Sequence, residues 1–297
     1  MTQQGGNRAA QELVELALEA GITFFDTSDV YGQGASERLL SGTLGKYGEK
    51  VVIATKAGIC LGSLGWAARK LKPLLRRVIK LRPGLAGAVK SVRATQQKQD
   101  FSPAYLERSV EASLRRLGRE RIDVFFLHSP PTEVLRQSEV FEALDRLKGA
   151  GKLRHYGVSC RTASDAKICL EIPGVEVLQV EANLLTSRTS TEVVPAAAKQ
   201  GVGIVARQAL AGGILLRNAS ELSPDDCVGR DWQYDEAKAC LTKLESAGVE
   251  TGRDRLGLAL KYVLELEGVS TVLTGTTNHE HLQQQLGAIA GLGSSVN

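Results

Sequence analysis

Short apolar runs of four to six residues alternate along most of the chain with longer segments whose apolar positions recur every three or four residues. That is the pattern of buried parallel strands joined by amphipathic helices. Residues 7–20 place Leu13, Leu16, Ala17 and Ala20 on one helical face, with Gly21 just past the end as a stop. ITFFD at 22–26 reads as a strand and Gly32 to Gly34 as a turn. Ser36 reads as the cap of a helix reaching about Lys46, with Leu39, Leu40 and Leu44 inward. VVIATK, 51–56, is rich in β-branched residues and short enough for a fully buried strand. Ser102-Pro103 opens a helix with apolar residues at 106, 110, 114 and 117, stopped by Gly118. Then follow strand 122–127, helix 134–148, strand 155–159, helix 162–171, strand 176–181, helix 190–200 and strand 202–207. Helices 235–247 and 253–266, strand 269–274 and helix 279–290 complete the chain. Strict alternation predicts a parallel α/β sheet, and this many units favour closure into a barrel.

Composition narrows the picture. At 297 residues, 43% hydrophobic and 24% charged, the chain suits one large domain over 1–297 with a real core. The start, MTQQGGNRAAQ, carries no basic segment followed by an apolar one, and no window approaches ~18 consecutive apolar residues. The expected location is cytoplasmic. Five cysteines, odd in number and without a C-x-x-C pair, argue for reduced thiols over a disulfide framework or a structural zinc site.

The formal charge of +4 hides an asymmetry. Residues 61–99 hold ten Lys or Arg and no acid, leaving 27 bases against 33 acids elsewhere. This basic insertion, at about 60–100, follows the VVIATK strand. Past Pro73, Leu74, Leu75, Val78 and Ile79 share one helical face and Arg76, Arg77 and Lys80 the other. The segment 66–98 reads as a lid docked by its apolar face, as a peripheral membrane or anion contact, or as a flexible loop. Aromatic residues beyond Trp66 are scarce there, so nucleic acid is not an expected partner. An arginine-rich lid would also suit an anionic substrate.

The candidate chemistry sits where strands end. Asp26 and Tyr31 stand five residues apart as an apolar run turns into a loop, and the next strands deliver Lys56 and His128. Reactive groups at the C-terminal ends of strands are how a parallel α/β barrel presents a site. Acid, phenol, ammonium and imidazole are the groups an acid-assisted carbonyl reduction uses. The alternative is a buried Asp–Lys ion pair with a satisfied histidine and a packed tyrosine.

FFDTSDVYG, ATKAG, SLRRLGRERIDVFFLHSP, YGVS and VARQALAGGIL occur in order from about Gly21 to Leu286. On these motifs the chain resembles the aldo-keto reductases. The resemblance implies a (β/α)8 TIM barrel, a small-molecule carbonyl or sugar substrate, and NADP as cofactor with NAD as the alternative. It implies Tyr31 as proton donor, Lys56 as the cation that favours the phenolate, Asp26 holding Lys56, and His128 orienting the substrate oxygen. By the same resemblance Ser159 and Gln179 hold the nicotinamide carboxamide, with Cys160 where Asn is usual. Arg207 takes the place of a stacking aromatic, as a stacked guanidinium or as half of a salt bridge. Asn183 is a further polar candidate or a loop cap. Gln208, Leu210 and Gly212 match the loop that crosses the pyrophosphate, where glycines allow close approach. Gly275, Thr276, Thr277 and His281 stand at a helix start suited to phosphate. No Lys or Arg is there to meet a 2′-phosphate.

The pattern supplies seven strands. In the family a strand precedes the first helix, and MTQQGG stands in its place, so the first strand looks truncated. An open barrel would leave two unpaired edges. Partial pairing by the stub, an upstream segment or another chain would cover them, and an upstream segment is the expectation. A nicotinamide-binding regulatory or interaction protein on the same scaffold, with little or no turnover, is the second reading.

Overall fold

The computed structural model describes residues 3–61, 97–228, 230, 232–247 and 252–293. Helix α1 (Gln3–Glu19) leads into β1 (Phe24–Asp26), α2 (Ala35–Leu44) and β2 (Val52–Ala57). A short antiparallel pair follows, β3 (Ile59–Leu61) with β4 (Gln97–Gln99). Then come α3 (Pro103–Leu117), β5 (Ile122–His128), α4 (Ser138–Gly149), β6 (Leu153–Ser159), α5 (Ala163–Leu170) and β7 (Val177–Glu181). The chain goes on through α6 (Val194–Gln200), β8 (Gly203–Arg207), α7 (Tyr234–Ser246), α8 (Gly252–Leu264), β9 (Val269–Val272) and α9 (His279–Gly293).

Seven parallel strands form one sheet in the order β1-β2-β5-β6-β7-β8-β9. Each neighbour in the order follows its predecessor through a helical crossover, the connection that parallel pairing requires. The interior is dense with Leu, Ile, Val and Phe: Phe125, Leu127, Val158, Leu178 and Ile204 are fully buried. This is the rolled α/β sheet the alternation predicts, with seven strands. Among the described residues no ladder joins β1 to β9. The two edges are less buried than the middle, and Ser270 is exposed. The opening residues from Gln3 onward are the first turns of α1, so they do not pair as a strand.

Where the structure departs from the sequence pattern, a competing local interaction is visible. Ser36 does not cap α2. Gly34, at φ 79°, takes the cap position without a side-chain bond, and Ser36 lies inside the helix, its Oγ accepting from Thr27 Oγ1 at 2.7 Å. Helix α4 begins four residues later than the periodicity suggests, because Val134–Arg136 is a 3-10 turn. Ala20 is exposed, and Ala17 is the buried centre of α1's inner face. By contrast α3 follows expectation closely: Leu106, Val110, Leu114 and Leu117 are buried, and Gly118, at φ 63°, ends the helix in the left-handed region.

The amphipathic stretch around Leu74–Lys80 lies outside the described residues. The described residues on either side, β3 and β4, pair just past the C-terminal end of β2, where Gln99 Nε2 donates to Ser129 O at 3.0 Å. No helix among the described residues is long and apolar enough to cross a membrane.

Candidate active site

The strand register assembles the site. Asp26 is the last residue of β1 and pairs with Ala54, so Lys56 lies two residues farther along β2. His128, Ser159 and Gln179 form one row across β5, β6 and β7 through the pairs His128↔Ser159 and Ser159↔Gln179. Arg207, last in β8, pairs with Glu181. All of these face the C-terminal end of the sheet. Tyr31 arrives there by a tight turn: Tyr31 N–H donates to Ser28 O, Gln33 N–H to Val30 O, and Gly32, Gln33 and Gly34 all have positive φ. Glycine suits two of those positions because it carries no Cβ penalty there.

Lys56 is almost fully buried. Its Nζ donates to Asp26 Oδ2 at 2.5 Å and to Thr27 O at 2.8 Å. The other Asp26 oxygen, Oδ1, accepts from Gln179 Nε2 at 2.9 Å, and Gln179 Oε1 accepts from Ser159 Oγ at 2.9 Å. Ser159, Gln179, Asp26 and Lys56 are therefore one continuous hydrogen-bonded chain. It joins two residues expected to hold a cofactor to two expected to do chemistry. Tyr31 lies over this chain, with Lys56 Nζ 5.5 Å from its ring centroid and the His128 ring edge-on at 5.9 Å. Tyr31 is 43% exposed, so the phenol is open to a ligand.

The electrostatics set protonation states. Burial lowers the Lys56 pKa, with Asp26 opposing it. Burial raises the Tyr31 pKa, Asp26 raises it further, and Arg207 works the other way. In this state Tyr31 is held as a phenol. His128 is pushed down to about 4 by burial, then by the Lys56 and Arg207 charges, and is neutral at pH 7.

On the cofactor side the residues are more committed. Arg207 Nη2 donates to Cys160 O at 3.0 Å, and Nη1 lies 3.7 Å from Glu181 Oε2. The ion-pair reading of Arg207 therefore describes its position here. Asn183 is buried as a loop cap: its Oδ1 accepts from Leu185 N–H, and its Nδ2 donates to Gln208 O. Gln208 and Ala211 adopt left-handed backbone, as do Gly212 and Gly213, and Gln208 Oε1 accepts from Arg230. A Cβ on Gly212 would meet Arg230 Nη2 at 2.7 Å, a side-chain end that can swing away, so it is the positive φ of 70° that favours glycine there. Leu210, within that loop, is partly buried against the apolar cluster that includes Ile214, Leu215 and Trp232. Gly275, Thr276, Thr277 and His281 lie on the next strand's exit. Thr276 Oγ1 accepts from Asn278 N–H, and Asn278 Oδ1 caps α9 by accepting from Glu280 N–H at 2.8 Å. His281 is exposed.

Sequence reasoning passed over Ser28, Asp29 and Arg230. Ser28 is fully buried, with its Oγ 3.1 Å from His128 Nδ1. Asp29 is beside it and is pushed up to about 6, chiefly by burial. The signal was available, since both lie between Asp26 and Tyr31 in the stretch that carries the chemistry. Arg230 gave none, as it reaches Gln208 from a distant irregular segment.

Comparison with known proteins matches this geometry to one family. The aldo/keto reductase family model covers residues 4–292. "Probable aldo-keto reductase 1" of Glycine max is 28% identical over 94% of this chain and 74% of its own length. "Uncharacterized oxidoreductase YqkF" of Bacillus subtilis (strain 168) is 25% identical over 94% of this chain and 81% of its own. Among solved structures, the holo form of aldo-keto reductase AKR11C1 from Bacillus halodurans superposes with a TM-score of 0.72 at 26% identity, covering 95% of this chain and 82% of that one. With its motifs in order, its site at the strand ends and a family match over nearly its whole length, the chain belongs to the aldo/keto reductase family.

Proposed function

We propose that this protein moves a hydride between NAD(P)H and a small carbonyl compound or its alcohol, an aldehyde, ketone or aldose, with Tyr31 as general acid and base. Family membership supports the coarser statement, an NAD(P)H-dependent oxidoreductase. The observation that carries the finer one is the unbroken chain Ser159–Gln179–Asp26–Lys56 beneath an exposed phenol.

The residues present fit a dinucleotide. A carboxamide needs both donors and acceptors, and the Ser159 hydroxyl and Gln179 amide supply both. A pyrophosphate needs backbone N–H groups and close approach. The left-handed loop at Gln208–Gly213 allows the approach, and the first turn of α9 presents N–H groups. The bound dinucleotide supplies the hydride. Tyr31 gives its proton to the substrate oxygen in reduction and takes it back in oxidation. Lys56 stabilises the phenolate that results, and Asp26 keeps Lys56 in position. His128, neutral at pH 7, touches the same substrate oxygen. Each well-placed group of this type is worth on the order of 10²-fold in rate.

NADP follows from the resemblance, with His279 and His281 as the basic side chains in the first turn of α9. NAD is favoured by a different observation, the lack of Lys or Arg from Gly275 to His281 with Glu280 among them. The reading without turnover is favoured by Cys160 in place of a carboxamide-binding Asn and by Arg207 being engaged with Cys160 and Glu181. Fluorescence titration with NADPH and NADH, followed by a screen of aldehydes and aldoses, separates them. Quenching with turnover supports the enzyme, quenching without turnover supports the binder, and no quenching refutes both. Phosphorylated and neutral carbonyls compared in that screen test whether the basic insertion selects anions.

A further inference from the structure

We propose that Ser28, backed by Asp29, selects which ring nitrogen of His128 carries the proton, and so whether His128 meets a ligand as acceptor or donor. The inference takes from the function proposed above only that His128 Nε2 faces the substrate.

The protons around one buried oxygen decide the tautomer. Ser28 Oγ has four neighbours: His128 Nδ1 and Asp29 Oδ1 at 3.1 Å each, Lys56 O at 3.2 Å and Val30 N at 3.5 Å. A hydroxyl offers one proton and two lone pairs. Lys56 O and an ionised Asp29 are acceptors only, so one of them takes the Ser28 proton. Val30 N–H is a donor only; it lies 3.5 Å from Ser28 Oγ and is shared with the Asp29 carboxylate while that group is ionised, turning to Ser28 Oγ when Asp29 takes a proton. The remaining contact is satisfied if His128 donates, so Nδ1 carries the proton. In a neutral imidazole that leaves Nε2 with a bare lone pair. Among the described residues nothing hydrogen-bonds Nε2, so it is open to a ligand. In this state His128 accepts from a hydroxyl, which suits an alcohol or the ring hydroxyl of a sugar.

Protonating Asp29 changes the count. The carboxyl becomes a donor to Ser28 Oγ, the Ser28 proton turns to Nδ1, and the ring proton leaves Nδ1 for solvent while Nε2 takes one up. The ring keeps a single proton throughout. Asp29 titrates near neutrality, at about 6, because it is buried and faces Glu37 of α2, against the lowering effects of the Ser28 hydroxyl, the Val30 N–H and Arg116 on α3. Lys56 on β2 and Tyr105 on α3 also interact with its charge. His128 faces Lys56, Arg207 and Tyr31, and ionises only at about 4, so the exchange is between neutral forms. At a fixed pH the overall equilibrium ties the two reaction directions together, so the pair cannot favour one. It changes whether the alcohol or the carbonyl compound holds the site more tightly.

Nitrogen NMR of the full chain labelled with 15N-histidine reads the tautomer directly, without turnover; His128→Gln assigns the signal among the four histidines. In the unmodified protein the Nδ1–H form should dominate at pH 8 by about tenfold, the worth of one hydrogen bond. It should give way to Nε2–H with a midpoint near 6. Asp29→Ala should stay in the Nδ1–H form through that midpoint, since Ser28 then has only Lys56 O to donate to. Ser28→Ala should lose the preference, and Ser28→Thr should restore it. An Nε2–H ring at pH 8, one tautomer at both pH 8 and pH 5, or a Ser28→Ala protein with the unmodified profile would each overturn the proposal. A protein with the expected profile that reduces no carbonyl compound would uphold it and remove the reductase reading instead.

Discussion

Gly157→Ala is a severe test of how the site is built, because this glycine is required by neighbouring backbone and not by its own φ. Gly157 pairs with Val177 across β6 and β7. A Cβ there runs into the Val177 carbonyl oxygen and lies 2.7 Å from the carbonyl carbon, where ordinary contact begins at 3.4 Å. The obstruction is backbone, with no side-chain end to swing away, so the strands must part by more than half an ångström. The β6–β7 ladder has only three pairs, and the third is Ser159↔Gln179. Overpacking of this kind costs about 1–3 kcal/mol, and with backbone on both sides the upper end applies. For a chain of this size about 3 kcal/mol lowers Tm by roughly 5 °C. Gly21→Ala is the control: its φ is 85° but nothing lies within 4 Å, so it carries only conformational strain of about 1 kcal/mol. Thermal melts of the three proteins, followed by nicotinamide titration, check the order. Gly157→Ala should melt lowest and bind the dinucleotide weakest. A Gly157→Ala protein that melts with the unmodified chain, or above Gly21→Ala, would refute the close approach.

Other consequences follow from burial and charge. Asp29 is raised from 3.8 to about 6, so its ionisation costs the folded state more than the unfolded one. That penalty is absent below 3.8, grows between the two values and is complete above about 6. Asp29→Asn should therefore stabilise the protein by up to about 3 kcal/mol at pH 7, with the gain fading toward pH 4. Urea midpoints at the two pH values check the sign, and a gain at pH 4 that vanishes at pH 7 would contradict it. Cys160 and Cys169 are buried with sulfurs 3.9 Å apart, and the Cys160 thiol is pushed well up, first by its neighbour Cys169 and then by burial. Brief N-ethylmaleimide treatment of the native protein should leave both unlabelled and modify the partly exposed Cys60 and Cys227 first. Peptide mass spectrometry decides it.

What was legible in the chain was whatever depended on local pattern. Strands 122–127 and 51–56 were clear because parallel strands are apolar on both faces, and α3 because Pro103, its apolar period and Gly118 agree. The residues Asp26, Lys56, His128, Ser159 and Gln179 could be placed at strand ends because each follows such a run. Their bonds to one another could not be read, since the Gln179–Asp26 contact spans 153 residues and depends on how the sheet rolls. Polar groups turned inward were illegible for the same reason. Glu37 sits on the inner face of α2, where periodicity asks for an apolar side chain, and is fully buried. It is satisfied by Arg116 and by Thr55 Oγ1 at 2.8 Å, partners on other elements. Ser36 has the right composition for a cap but is drawn to Thr27 instead. Local propensity cannot weigh a distant partner.

The central claim is that the Tyr31 phenol is the acid and base of a hydride-transfer site. Tyr31→Phe tests it most directly, because among the described residues the phenol oxygen makes no hydrogen bond and the ring contacts with Lys56 and His128 survive the change. The variant should melt with the unmodified protein and bind nicotinamide dinucleotide with nearly the same Kd, while kcat for the best carbonyl substrate falls by about 10²–10⁴-fold. Unchanged kcat in a folded, dinucleotide-binding variant would contradict the account.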